Sequence, residues 1–322
     1  MGIVAHAGST CATGSPHPQP PLLTAFPLGH VWHHQKLRFH HHASNAEEVL
    51  PSLVLPTLLA FMIAFLVPFI VGFFLSFTKF TTITNAKWVG IDNYAKAFSQ
   101  REGFVSAFGF TVLVVIVSVI TVNVFAFLLA WMLTRKLRGT NFFRTVFFMP
   151  NLIGGIVLGY TWQTMINAVL SHYSTTISAD WKFGYAGLIM LLNWQLIGYM
   201  MIIYIAGLQN VPPELIEAAE LDGVNKWEML RHVTIPMVMP SITICLFLTL
   251  SNSFKLFDQN LALTNGAPGG QTEMVALNIV NTLFNRMNVE GVGQAKAVIF
   301  VVVVVVIAYF QLRATRSKEI EA

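Results

Sequence analysis

The chain has 322 residues, 55% of them hydrophobic and 11% charged, with a formal net charge of +4. Soluble domains carry about 45–50% apolar and about 25% charged residues, so this balance excludes an ordinary soluble domain and implies an integral membrane protein. The small positive charge makes no case for a nucleic-acid partner, and two distant cysteines, Cys11 and Cys245, give no disulfide framework.

Residues 1–47 differ from the rest. They are rich in His, Pro, Gly and Ser, and contain His33, His34, His40, His41 and His42. Metal binding would need these histidines at helical or finger-like spacing, which is missing. The composition reads as a disordered tail or an upstream extension, and it holds no apolar core of a signal peptide. Residues 48–322 then read as one membrane domain, each span needing about 20 mostly apolar residues.

The first span covers residues 52–77 and contains Pro56 and Pro68. A polar segment, 78–103, includes Trp88-Val89-Gly90-Ile91-Asp92-Asn93-Tyr94. The second span, 107–133, has Asn123 as its one strongly polar side chain. The loop 134–144 carries Arg135, Lys136, Arg138 and Arg144 and no acid, which places it in the cytoplasm. In the third span, 146–166, Pro150 and Gly154-Gly155 predict a bent or closely packed helix. Residues 167–184 suit the outside, and the fourth span covers 185–206.

Residues 212–236 are a charged island. Pro213 suits a first helical turn, and Glu214 and Glu217 complement the positive helix end. Gly223 can take the left-handed conformation that ends a helix. Asn225 and Glu228 have the spacing of a capping box. The island reads as helix, sharp turn, helix. The fifth span covers 235–256. The long loop 257–296 contains Leu263-Thr264-Asn265-Gly266-Ala267-Pro268 with Thr272-Glu273, then an amphipathic helix around 276–284. The sixth span, 297–312, stops at Arg313, Arg316 and Lys318. These basic residues, with Lys36 and Arg38, place both termini inside. Lys79, Lys87, Lys96 and Arg101 dissent, being basic yet in a loop expected outside.

Glu217-Ala218-Ala219, three residues, Gly223, nine residues and Val233-Thr234-Ile235-Pro236 resembles the EAA loop of ABC importer permeases. Val233 and Ile235 stand where the family has Ile and Leu. The elements at 88–94 and 263–273 are similar to two further motifs of the carbohydrate-uptake class, with Ala267 at a usual Gly. The resemblance implies an all-α membrane protein of six helices, the type I permease fold, with a cytoplasmic coupling helix at 212–236. It implies that Glu217, Ala218, Ala219, Gly223, Ile235 and Pro236 couple the chain to a cytoplasmic ATPase. It also implies a second homologous permease subunit, two ATPase copies, an extracytoplasmic solute-binding protein, and the plasma membrane of a bacterium or archaeon.

The chain has no phosphate-cradling G-x-x-x-x-G-K-[ST] and no catalytic constellation, so it is not read as an enzyme. No cofactor is expected on it; ATP and Mg belong to the partner ATPase. Charges that would mark a proton or sodium path are scarce in the spans. The spans offer Trp162, Gln163, Asn193, Gln195, Asn252 and Ser253, whose amides, hydroxyls and rings suit a sugar. The same groups also serve as interhelical glue. The reading is therefore a sugar permease of an ABC importer. The alternatives are a gradient-driven carrier or channel acting alone, and an ABC importer for a solute such as glycerol 3-phosphate.

Overall fold

The structure, a computed structural model, describes residues 54–135 and 139–316. The tail expected at 1–47, and Lys136, Arg138 and Lys318 of the topology argument, lie outside the described residues. The chain divides into two units between Leu66 and Val67. In the first, the helix that begins at Val54 opens into a π-turn over Met62–Leu66, and Phe61 stacks on Phe65.

The second unit carries the rest of α1 (Val54–Leu75), then a two-stranded hairpin, β1 (Thr78–Lys79) and β2 (Lys87–Trp88). After it come α2 (Asp92–Ala97), α3 (Phe104–Leu133), α4 (Thr140–Phe148), α5 (Gly155–Leu170) and α6 (Trp181–Gln209). Next are α7 (Pro213–Leu221), α8 (Lys226–Met229), α9 (Met239–Phe254), α10 (Asp258–Leu263), α11 (Val275–Phe284) and α12 (Glu290–Arg316). Among the described residues four helices are long and apolar enough to span a membrane, or six if each of two bent pairs is one span.

Both bends follow from proline. The expected third span is broken by 101° between Thr140–Leu152 and Gly155–Tyr173. Pro150 sits in a 3-10 turn there, and Ile153 and Gly154 are extended. The expected fifth span is broken by 72° at Val238. Pro236 and Pro240 flank the break, each removing a backbone donor. A π-turn over Leu230–Thr234 precedes it.

α6 is the axis of the core. Its Leu188, Leu191, Leu192, Met200 and Met201 are fully buried against Val114, Val122, Ala126 and Ala130 of α3. Lipid is as apolar as leucine, so close packing rather than water avoidance holds such helices together. Glycine permits that approach: a Cβ on Gly198 would stand 1.8 Å from the Phe147 carbonyl oxygen, and one on Gly207 2.2 Å from Ser241 Oγ. One polar network runs through this core. The Tyr204 hydroxyl donates to Asn123 Oδ1 at 2.8 Å, and Asn123 Nδ2 donates to the Val119 carbonyl at 2.7 Å and Thr249 Oγ1 at 3.3 Å. Asn123, the polar residue of the second span, thus ties α3 to α6 and α9.

A second, smaller core joins Phe104 and Ala107 of α3 to Val275 and Ile279 of α11, with Ala297, Ile299 and Phe300 of α12 against it. α12 begins at Glu290, seven residues before the expected sixth span, so Lys296 is not in a loop but in a helix, and is fully buried. Its Nζ donates to Thr282 Oγ1 at 2.7 Å and Asn278 Oδ1 at 3.0 Å, and pairs with Glu102 at 3.1 Å. Arg286 grips the same carboxylate in two 2.8 Å bonds.

Candidate functional site

The charged island folds as its caps dictate. α7 starts at Pro213, and its end is closed by a bond from Val224 N to the Ala219 carbonyl at 3.1 Å. Gly223 makes that turn at φ +76°, a conformation L side chains resist. Asn225 Oδ1 then accepts from Trp227 N and Glu228 N at 3.0 Å each, while Glu228 Oε2 accepts from Asn225 N at 3.1 Å. This is the capping box the spacing predicts, reciprocal and complete.

The hairpin has two faces. Val211 is buried and Ile216 packs on the main core, and Ala219 is buried with them. Glu217 and Ala218 are exposed, as are Leu215, Leu221 and Trp227; Leu221 is 89% exposed. Ile216 therefore seats the hairpin on its own bundle, whereas Ala218 lies exposed. Ile235 and Pro236 are half-buried where the chain enters the 72° bend.

The polar candidates of the spans divide between two places. Trp162 of α5 and Trp194 of α6 meet edge to face at 5.7 Å. Gln163 Nε2 donates to the Leu263 carbonyl at 2.9 Å, and Gln195 Oε1 accepts from Gln259 Nε2 at 2.9 Å. α10 is the hub of this group. It lies on α5 so closely that a Cβ on Gly159 would stand 2.5 Å from Ala262 Cβ. Asn193 Nδ2 bonds the Ile189 carbonyl of its own helix at 2.8 Å, and its buried Oδ1 has no partner. Asn252 and Ser253 lie instead near the end of α9, Asn252 half-buried and Ser253 fully buried with an unpartnered Oγ.

The other motif elements are structural keystones. Asn93 Nδ2 donates to the carbonyls of Ser76 and Thr78 at 2.9 and 2.8 Å, and the Tyr94 and Ser76 hydroxyls are 2.7 Å apart. The turn after α10 is wound around Asn260. Its Nδ2 donates to the Thr272 carbonyl at 2.8 Å and its Oδ1 accepts from Met274 N at 2.9 Å. Glu273 then accepts from Asn278 and Asn281 of α11.

Comparison with known proteins places this architecture. Residues 123–316 match the family model described as the inner membrane component of binding-protein-dependent transport systems. The chain belongs to that family. The permease is 41% identical over 276 residues to the probable starch degradation products transport system permease AmyD of Thermoanaerobacterium thermosulfurigenes. That match covers 83% of this chain and 94% of the relative. It is 29% identical to the multiple sugar-binding transport system permease MsmF of Streptococcus mutans, over 76% of this chain and 87% of that one. A solved bacterial ABC transporter that imports the polysaccharide alginate superposes with a TM-score of 0.73 at 20% identity, covering 87% of this chain and 99% of that chain, and so shares the fold. The permease is thus a multi-pass inner-membrane protein with the type I importer fold.

Sequence reasoning missed two features of the permease. The charges of Glu102, Arg286 and Lys296 come from segments up to 194 positions apart, and only a lone lysine at the head of an apolar run hinted at them. Asn260 and Gln259 stood in what read as a loop. Burial alone would raise the Glu102 carboxyl, but hydrogen bonds and charge from Arg286 and Lys296 outweigh it and hold the group below its ordinary value.

Proposed function

We propose that the permease carries a sugar or oligosaccharide, delivered by an extracytoplasmic binding protein, through an importer powered by separate ATPase subunits. The observation that carries this reading is the hairpin of α7 and α8. Its turn is closed at the end of α7 and capped at the start of α8, it is seated by Ile216, and it leaves Glu217, Ala218, Leu221 and Trp227 exposed. Such a rigid element suits the transmission of a partner's nucleotide cycle. ATP and Mg would be held by that partner. Two ATPase copies and a second, similar permease would complete the assembly, with the hairpin and both termini in the cytoplasm.

For the cargo, the relatives named for starch products and multiple sugars support a carbohydrate. The Trp162–Trp194 pair and the amides of Gln163, Asn193, Gln195 and Asn252, with Ser253, supply neutral hydrogen bonds and aromatic faces. Movement of α10 against α6 would open Gln195 and Gln259 to a hydroxylated guest.

The deciding experiment is reconstitution of the complex with its binding protein in liposomes, followed by uptake of labelled maltodextrins. Glu217→Lys should abolish uptake and loosen the ATPase on co-purification. Undiminished uptake and association would end the coupling assignment.

A further inference from the structure

The four basic residues that resisted the topology argument share one neighbourhood. β1 and β2 pair antiparallel, with Thr78 opposite Trp88 and Lys79 opposite Lys87. Like charges directly opposite each other on a ladder weaken it. The alternation also sorts the hairpin's faces. Trp88 lies against Phe77 and Phe74 of the α1 end, at 5.4 and 5.9 Å, while both lysines are on the other face. The aromatic side is thus the one suited to the lipid interface, and the lysine side is turned from it.

Lys79 lines a polar cleft of about 460 Å³ with Lys96, Arg101, Arg286, Asp92 and Glu102. Asp92 pairs with Lys96, and Glu102 is engaged by Arg286 and Lys296. Among the described residues Lys79, Lys87 and Arg101 have no carboxylate partner. The carboxylates of the cleft are thus committed, and net positive charge remains on an open, concave surface.

We propose that this face, Lys79, Lys87 and Arg101 around the cleft, is a docking surface for an acidic patch on the solute-binding protein. The proposal rests on the importer reading, which puts residues 78–103 outside. A retained repulsion between Lys79 and Lys87 is relieved when a carboxylate settles between them. The concave shape favours a protruding protein side chain over a flat headgroup layer. Charges of this kind act mainly on association rate and its salt dependence.

The test uses the whole importer in nanodiscs and its own binding protein, with affinity measured across ionic strength. Lys79→Glu with Lys87→Glu keeps like charges opposed, so hairpin stability is matched while the sign is reversed. Affinity should fall roughly tenfold and its salt dependence flatten or invert. Lys87→Glu alone separates docking from folding. It puts opposite charges across the ladder, so the thermal midpoint should hold or rise while affinity drops. Unchanged affinity in both variants overturns the proposal. So does a loss confined to phosphatidylglycerol discs and absent from phosphatidylcholine discs, which would assign the lysines to lipid. If the wild-type importer fails to bind the binding protein at all, the importer reading falls first, and the failure is visible before any variant is made.

Discussion

Glu102 is the residue that most repays attention, because one carboxylate holds two cations, one from α12 and one from the turn that follows α11. Lys296 is fully buried, so replacing it strands part of a polar cluster rather than removing a surface charge. Lys296→Met should cost about 1–3 kcal/mol, the penalty for leaving buried partners unmet, since Arg286 still grips Glu102. Thermal unfolding in detergent would read it. The carboxyl of Glu102 is held below its ordinary value, so its contribution is complete above the unfolded value and is lost as pH falls through the folded one. The midpoint gap between wild type and Glu102→Gln should therefore persist at neutral pH and close only in acid, below the ordinary carboxylate range. Tyr204→Phe makes a milder case. It leaves Asn123 Oδ1 without its 2.8 Å donor, and about 0.6–2 kcal/mol of stability should go, as for other hydrogen bonds between membrane helices.

At the scale of elements, the α7–α8 hairpin was legible almost residue by residue. Its signals are local: proline at a first turn, glycine at a left-handed stop, Asn225 and Glu228 three apart. The same locality explains what stayed hidden. Pro150 and Gly154-Gly155 announced a disturbance in the third span, but not a 101° break, because its angle depends on α10 lying against Gly155 and Gly159. α10 itself was invisible as an element, being six residues of mixed polarity whose partners on α5 and α6 are 100 and 64 positions away. Of the polar candidates, Gln163 and Gln195 turned out to be bonded across helices, and no local pattern distinguishes such glue from a substrate contact. Asn225→Ala should cost about 0.5–2 kcal/mol by removing the cap, and it should weaken ATPase stimulation more than membrane insertion. Comparing hydrolysis in reconstituted complexes with the yield of folded permease checks that.

For the whole molecule, the number and order of spans could be read from hydrophobic runs, because a bilayer demands about 20 apolar residues whatever packs around them. What could not be read is which faces turn inward. α6 is the most enclosed of the four long helices and α1 the least; the amides of Asn193 and Gln195 make α6 less apolar, but they do not say which of its faces are covered. Glycine marks the difference afterwards. Gly198→Leu should prevent assembly of the bundle, since even a Cβ there meets the Phe147 carbonyl at 1.8 Å, and size-exclusion profiles should show aggregate. The orientation is tested by a single cysteine at position 220, which should react with a membrane-impermeant maleimide only in inverted vesicles.

The reciprocal bonds between Asn225 and Glu228 have one more implication. A hairpin whose helix ends are already satisfied has nothing left to order when another subunit arrives. Calorimetry of that encounter should show a heat-capacity change explained by the covered apolar surface alone, without the excess that marks a segment folding as it binds.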